Sequence, residues 1–476
     1  MTRGRLLLLA AALIAFGASL GSGFHFDDYA IFSDPLLQVP RGLAEMWGPR
    51  QTRPLTHLTF WIDYQLGGND PLLYHAVNLA LHLGAVLLLF ECLRRLLPER
   101  AAWIAAGLFA VHPLQAEAVD YVWGRSIVLA ALLCFAALWA WTRERHWEAV
   151  AWFAAALLAK EECAAFPLAL LLLPRDKRAP RAPIAAMLAL ALAAGARVIY
   201  AVSVTPGAPA GAQAGISPWH YFLAQGPAIW RYFQLLFVPY GFTVDPDVRV
   251  PPVWVGVLCW LALAAAAALA WRWRTEPWTR WFVAGVVLLL PSSSVFPAAD
   301  LAADRRMYLP MLGFAAAAGL LLARVRPAWI SAVAVGALAL VSVFRTQVWM
   351  SDRALWSEAA ERAPGKLRPK IQLARTLPAA KALEVLNEAA KLAPYDAQVP
   401  AEIGKTLLAE GQPDAALPEF GRALALDPHD ARNYNNRGVA LAMLGQTDAA
   451  RQDFERALQI DPNLTETKQN LAKLGR

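Results

Sequence analysis

The sequence predicts an all-α chain in two unlike parts, a polytopic membrane domain over residues 1–350 and a helical repeat solenoid over residues 351–476. Composition is the first reason. Of 476 residues, 58% are hydrophobic and only 17% charged, too apolar on average for a plain soluble enzyme. Charge placement is the second: the formal excess of +7 suggests nucleic acid only until the basic residues are located, because many gather in short clusters between apolar runs. These clusters are Arg94 to Arg100, Arg143 to Arg145, Arg175 to Arg181 and Arg272 to Arg280. The third reason is a 34-residue period in the tail.

About eleven spans are expected, since crossing the hydrocarbon of a bilayer takes roughly 20 apolar residues. They run near 5–22, 73–93, 101–112, 126–142, 147–159, 163–174, 184–203, 251–271, 279–296, 307–323 and 327–345. The first follows Arg3 and Arg5 and lacks a convincing small-x-small cleavage site, so it reads as a retained helix. Basic loops mark the cytoplasmic side. Counting from there puts loops 23–72, 113–125, the turn near 160, 204–250 and 297–306 outside, and the repeats with them. Segment 219–238 reads as interfacial or re-entrant, because a further crossing would put the Arg272 to Arg280 cluster on the wrong face. The expected location is an inner (cytoplasmic) membrane, with these loops and the repeats on the periplasmic side. Cys92, Cys134, Cys163 and Cys259 lie in or at the ends of apolar segments without CxxC or metal spacing, so neither a disulfide framework nor a metal site is expected.

In the tail, windows starting at Ala397 and Ala431 align Gly404 with Gly438, Ala416 with Ala450, Phe420 with Phe454, Ala423 with Ala457 and Pro428 with Pro462. This is the tetratricopeptide pattern, in which each repeat is a helix pair whose small residues let the helices approach. The window 363–396 keeps Ala382, Ala389 and Pro394 but carries Lys370 at the small position, and reads as a degenerate repeat. Windows 397–430 and 431–464 are full repeats, and 465–476 is a capping helix.

The outer loops carry the chemistry. Loop 23–72 opens with Phe26-Asp27-Asp28-Tyr29 and continues through Arg53-Pro54-Leu55-Thr56 to Tyr74-His75. On the second span His75, Asn78 and His82 share one face, where polar groups are expensive in hydrocarbon and mark either a functional path or hydrogen bonds between helices. His112-Pro113, Glu117, Tyr121 and Arg125 follow, then Lys160-Glu161-Glu162, a set a short hairpin would also place in water. Asp300 and Asp304-Arg305-Arg306-Met307-Tyr308-Leu309-Pro310 put two arginines on the outer face, against the usual bias, which asks for an anionic ligand. Sugar transfer from a polyprenyl-phosphate donor needs this set. A carboxylate deprotonates the acceptor hydroxyl, and cations hold the leaving phosphate, which needs no protonating acid. No P-loop or HExxH motif is present, so protease chemistry is disfavoured, and a soluble nucleotide donor is not the expected one.

Taken in order and followed by the repeats, these motifs, with Gly124-Arg125, resemble the transmembrane and tetratricopeptide repeat-containing glycosyltransferases of the GT-C class. The resemblance implies an inverting transferase that uses a dolichyl- or undecaprenyl-phosphate sugar, with protein O-mannosylation of Ser/Thr as the activity of eukaryotic relatives. It implies a first-loop acidic residue as base, and between the two Asp28 is favoured slightly over Asp27. Arg305 and Arg306, helped by Arg125 and Lys160, are the expected donor clamp, while His75, Asn78 and His82 are the expected contacts to sugar hydroxyls. Arg53, His112, Glu117, Glu161 and Tyr308 complete the expected substrate site. No cofactor is expected, since the lipid-linked sugar is a substrate, and assistance from a divalent ion stays open. The expected partners are that lipid, the bilayer and an acceptor protein docked on the repeats, with no nucleic acid. Alternatives are transfer to a cell-envelope glycan or lipid, an inactive membrane-anchored repeat scaffold, and a transport path.

Overall fold

A computed structural model describes residues 2–33, 35–38, 42–48, 51–173, 180–205, 210–211 and 215–474. Residues 175–179 of the basic cluster at 175–181, and the last two residues of the capping segment, fall outside the described residues. The described chain is helical throughout, with one isolated bridge between Ala210 and Ala298, and it divides into two compact units, residues 1–351 and 352–476.

Unit 1 begins with α1 (Thr2–Phe16) and three short helices in the first loop, α2 (Asp28–Ser33), α3 (Pro35–Gln38) and α4 (Gly42–Glu45). Next come α5 (Pro54–Gly67), α6 (Pro71–Leu96), α7 (Glu99–Val111), the short α8 (Ala116–Asp120), α9 (Arg125–Trp141), α10 (His146–Ala159), α11 (Phe166–Leu172) and α12 (Arg181–Val204). The unit closes with α13 (Pro218–Phe237), α14 (Val253–Ala270), α15 (Pro277–Leu289), α16 (Met311–Leu322) and α17 (Trp329–Val348). Local chemistry sets several starts: Asp70 caps α6 by accepting the Leu72 amide at 3.0 Å, and Ser217 caps α13 through the His220 amide, each with Pro in the first turn.

Among the described residues, six helical segments are long and apolar enough to cross a membrane: Arg3–Gly21, Pro71–Leu96, Val122–Trp141, Arg181–Val204, Val253–Trp273 and Trp329–Val348. They carry the reading of a multi-pass membrane protein. The other five expected spans are shorter helices, α7, α10, α11, α15 and α16. At about 1.5 Å per residue the 13 residues of α7 reach only about 20 Å. The shortfall has a local cause at α11, where a 3-10 turn over Glu161–Ala165 and Pro167 leave seven α-helical residues.

The bundle has two chemically different ends. At one, Arg5 pairs with Glu91 (2.8 Å), Arg100 donates to the Val325 carbonyl (2.7 Å) and Arg324 pairs with Glu276 (2.7 Å). At the other, loops that the charge count assigns to one face meet: 23–72 touches 113–125 and the turn at 160, and 297–306 touches 113–125. Segment 219–238 is helix α13, about 30 Å long. Its contacts run along this same end: Tyr221 donates to Ser292 O (2.9 Å), Gln225 to Leu301 O (3.0 Å) and Tyr232 to Ala303 O (3.2 Å), while Leu236 O faces His112 Nε2 (3.3 Å). It also packs on α14, where Trp230 donates to Cys259 O (3.2 Å) and the Phe222 and Trp260 rings stack at 4.4 Å.

Small residues bring helices into backbone contact. A Cβ on Gly313 of α16 would lie 2.3 Å from Gly285 N and 2.4 Å from Trp281 O of α15. In unit 2 the same device repeats with the 34-residue period. After α18 (Asp352–Arg362), helices pair as α19 (Leu367–Ala374) with α20 (Ala379–Leu392), α21 (Gln398–Ala409) with α22 (Pro413–Leu426) and α23 (Ala431–Met443) with α24 (Thr447–Ile460), followed by α25 (Thr465–Leu474). A Cβ on Gly404 or Gly438 would meet the Phe420 or Phe454 ring at 2.8 or 2.7 Å. The degenerate window replaces that pair by Lys370 and Leu386: the lysine reaches outward to Glu388 (3.0 Å), and the smaller leucine fills the core.

Gly313→Ala should therefore destabilise the membrane unit by about 1 to 3 kcal/mol through overpacking. Gly336→Ala, where nothing lies within 4 Å of the added carbon, should not. Thermal unfolding of both variants in one detergent compares them, and equal midpoints would show that α15 and α16 can part at no cost.

Candidate active site

The site is built where loops fold back on the helix ends. A Cβ on Gly124 would lie 2.7 Å from Ala118 O, so glycine is what lets segment 118–124 double back and present the Trp123 amide. That amide donates to Asp28 Oδ1 at 2.8 Å, and the His25 amide donates to Asp28 Oδ2 at 2.9 Å. Asp28 is fully buried and joins two loops; burial pushes its carboxyl up to about 7, with both amides and His25 pulling the other way. Asp27 is only half-buried, and its amide donates to the Tyr121 hydroxyl at 3.1 Å. Between His25 and Asp27, Phe26 holds φ at +40°, a left-handed conformation unusual for an aromatic residue, of the kind that clusters at functional sites.

Arg125 lies beneath this pair of loops. It is fully buried, ion-paired with Asp63, and donates to Asn78 Oδ1 (2.7 Å), Tyr74 O (2.8 Å) and Thr59 Oγ1 (3.4 Å), with the Phe60 ring 4.6 Å from its carbon. Asn78 uses its amide on Tyr121 O (3.0 Å). His75 Nε2 meets Gly23 O (3.0 Å); His82 bridges Tyr308 Oη (2.8 Å) and Ala110 O (3.1 Å); His112 Nδ1 accepts the Leu114 amide (3.2 Å). Arg125, His75, Asn78, His82, His112 and Tyr308 thus serve as ties between segments. Most of their polar atoms meet protein partners, as hydrogen bonding between helices requires, while the buried His75 Nδ1 has none among the described residues.

A second cluster gathers the remaining cations. Arg53 grips Glu161 with two hydrogen bonds, 3.0 and 2.6 Å; burial alone would raise the Glu161 carboxyl, but Arg53 outweighs it and holds it down at about 2. Arg305 pairs with Glu117, which also accepts the Arg305 amide (3.0 Å), and reaches Asp300 at 3.3 Å. Arg306 is different: its donors go to Asp300 O (2.6 Å), Leu301 O (3.1 Å) and the Tyr221 hydroxyl (3.3 Å), with no carboxylate partner among the described residues. It lines a small, partly open pocket with Lys160, Glu162, Ser292 and apolar Ile127, Leu288 and Leu309. Lys160 is buried beside Glu162 (3.3 Å), and burial pulls its ammonium down to about 8.

The structure therefore brings Asp27, Asp28, Arg53, Glu117, Lys160, Glu161, Arg305 and Arg306 to one end of the bundle. Among the described residues no group of three or more His, Cys, Asp or Glu gathers to hold a metal ion. Sequence reasoning placed Glu162 and Asp304 at this end but missed Asp63, Tyr221 and the Arg231 that pairs with Asp304. An arginine inside the largely apolar run of α13 was the available signal for the last.

Removing Arg125 leaves Asp63 as an uncompensated buried charge, so Arg125→Met should cost about 3 to 5 kcal/mol of stability. Adding Asp63→Asn should restore part of it. Thermal unfolding of the single and double variants measures both; a double variant no more stable than the single would remove the ion pair from the argument.

Glycosyltransferase family 87 matches residues 68–293, and a tetratricopeptide repeat model matches residues 402–464. The chain is 36% identical over 154 residues to the Homo sapiens protein O-mannosyl-transferase TMTC1, covering 29% of this chain and 18% of that protein. It is 39% identical over 141 residues to the Drosophila melanogaster protein O-mannosyl-transferase Tmtc1, covering 26% and 16%. With the Caenorhabditis elegans protein O-mannosyl-transferase F38B6.6 it shares 26% identity over 349 residues, 66% of this chain and 50% of that one. The chain spans half the length or less of these curated relatives. One region is thus similar to glycosyltransferase family 87 and another to the tetratricopeptide repeat, and the chain is similar to the TMTC protein O-mannosyl-transferases.

Proposed function

We propose that the protein is an inverting glycosyltransferase that moves a sugar from a polyprenyl-phosphate donor to a protein Ser or Thr hydroxyl, in the manner of O-mannosylation, on the outer face of the membrane. The observation that carries this reading is the cavity where Lys160 and Arg306 meet beside apolar side chains. Two cations suit a phosphate, and an apolar wall suits the isoprenoid that follows it. Arg306 has three of its five N–H donors on neutral oxygens, which leaves two for a ligand among the described partners.

Asp27 is the base in this reading and Asp28 its anchor, reversing the slight preference drawn from sequence. Both Asp28 oxygens already accept amides, whereas Asp27 is partly open to water. The acceptor oxygen attacks the anomeric carbon as its proton passes to Asp27. The bond from that carbon to the phosphate oxygen breaks, and its electron pair leaves on a lipid phosphate held by Lys160 and Arg306. One displacement inverts the anomeric centre. The groove of the stacked repeats is the natural surface for the acceptor protein.

Asp27→Asn should lower transfer by about 100- to 10,000-fold while donor binding persists; near-normal turnover in folded protein would reject Asp27 as the base. Asp28→Asn should also lower transfer, with loss of thermal stability.

The clamp has its own pH signature. Lys160 is charged below about pH 8 and neutral above it, so the KM for lipid donor should rise as pH goes from 7 to 9. Lys160→Arg keeps its charge across that range and should flatten the rise. A KM that climbs equally in both proteins would take Lys160 out of the clamp.

A further inference from the structure

We propose that Trp349 and Tyr121 form an aromatic strut that sets the position of the Asp27 carboxylate, making both positioning residues for the transfer. The proposal rests on the assignment of Asp27 as base. Tyr121 meets the base directly, its hydroxyl accepting the Asp27 amide at 3.1 Å. The Tyr121 ring stacks on Trp349, with centroids 5.6 Å apart and 30° between the planes. Trp349 also reaches the other side of the same turn: its carbonyl accepts His25 Nε2 at 2.6 Å, and the two rings meet edge to face at 5.9 Å. The His25 amide in turn donates to Asp28. One fully buried indole therefore braces the 25–28 segment at both ends, through His25 and through Tyr121.

This segment needs a brace. Phe26 sits at φ +40°, and a strained turn of that kind persists only where its surroundings over-determine it. The hydroxyl has a second task. Burial, and then the charges of Asp28 and Asp27, push the Tyr121 phenol far above its ordinary range, so it keeps its proton and shares it with the Asp27 side chain. Asp28 from its own segment and Tyr121 from loop 113–125 thus face Asp27, with Arg305 from loop 297–306 acting on Tyr121 and His25 acting on Asp28. Trp349 caps the end of α17, three residues before Asp352, where unit 2 begins. The base is thereby held from the point at which the chain leaves the membrane unit.

The test uses full-length protein in nanodiscs, a radiolabelled polyprenyl-phosphate mannose and a synthetic Ser/Thr peptide. Tyr121→Phe keeps the stack and removes the hydroxyl. The expected result is a fall in kcat of roughly 10- to 100-fold with an unchanged donor KM, because a misplaced reacting group costs rate and not donor binding. The acid limb of kcat/KM should move up by roughly one pH unit, since a carboxylate that loses a donor holds its proton to higher pH. Trp349→Ala should lower kcat as well, and Trp349→Phe, which restores a stacking ring, should recover most of it even if the alanine variant does not fold. The decisive comparison places Tyr121→Phe in an Asp27→Asn background, where it should cost nothing further. Equal losses in both backgrounds, or a Tyr121→Phe enzyme with unchanged kcat and pH limb, would overturn the strut and leave the base assignment standing. A fully active Asp27→Asn enzyme would overturn the base assignment, and the strut with it.

Discussion

A guanidinium removed entirely from water holds the site end of unit 1 together. Burying an ion costs several kcal/mol even after relaxation, so a buried Arg125 is tolerable only if nearly every donor is met. The partners that meet them come from α5 (Thr59, Asp63) and α6 (Tyr74, Asn78), while Arg125 itself opens α9. Three helices are thus fixed around one charge. From that fixed point segment 118–124 doubles back over Gly124, and its Trp123 amide captures Asp28. The geometry of the first loop is therefore a consequence of a charge several residues away from the chemistry.

The same electrostatic logic separates the two ends of the bundle. At the basic end the arginines pair with scattered acids or carbonyls near the helix termini, as with Arg5 and Glu91 or Arg324 and Glu276, partly exposed pairs worth little to stability. At the other end the pairs are deeper and shared between loops, as with Arg305, Glu117 and Asp300, or Arg231 and Asp304. Breaking one of these leaves a buried charge, so they fix loop positions more firmly than exposed pairs can. Helix α13 belongs to this scheme. Its Arg231 meets Asp304 and the Gly241 carbonyl, which ties the helix to the loop that carries Arg305 and Arg306.

Much of this was readable before any coordinates. The repeat period placed Gly404 and Gly438 against Phe420 and Phe454, because a ring and a hydrogen atom are complementary shapes, and that complementarity recurs every 34 residues. The position of basic clusters sorted the loops into two sets, and the set assigned to one face does meet. What escaped the sequence is how polar side chains divide their labour. Asn78, His75 and His82 share a helical face, yet spacing says nothing of whether a cavity or another backbone lies opposite; here carbonyls of residues 23, 110 and 121 do. Asp27 and Asp28 were likewise inseparable in sequence. Their difference comes from two amides, one of them from a residue 95 positions away.

That division of labour also explains why the proposed anion site is put at Arg306 and Lys160. Arg53 is matched by Glu161, Arg231 by Asp304, and Arg305 by both Glu117 and Asp300. A cation already gripped by two carboxylate oxygens has little to offer a phosphate, since binding would first have to break a charge-assisted pair worth more than a neutral contact. Arg306 has only a hydroxyl and two carbonyls to give up, and Lys160 a single carboxylate at 3.3 Å. Adjacent arginines in one motif therefore do different work. Arg305 locks the 297–306 loop to Glu117 and through it to the segment that carries Tyr121, while Arg306 is held in place by neutral oxygens with its charge still unspent. For the proposed uptake and release of an anionic lipid, a charge oriented by dipoles is better suited than one quenched by a neighbouring acid.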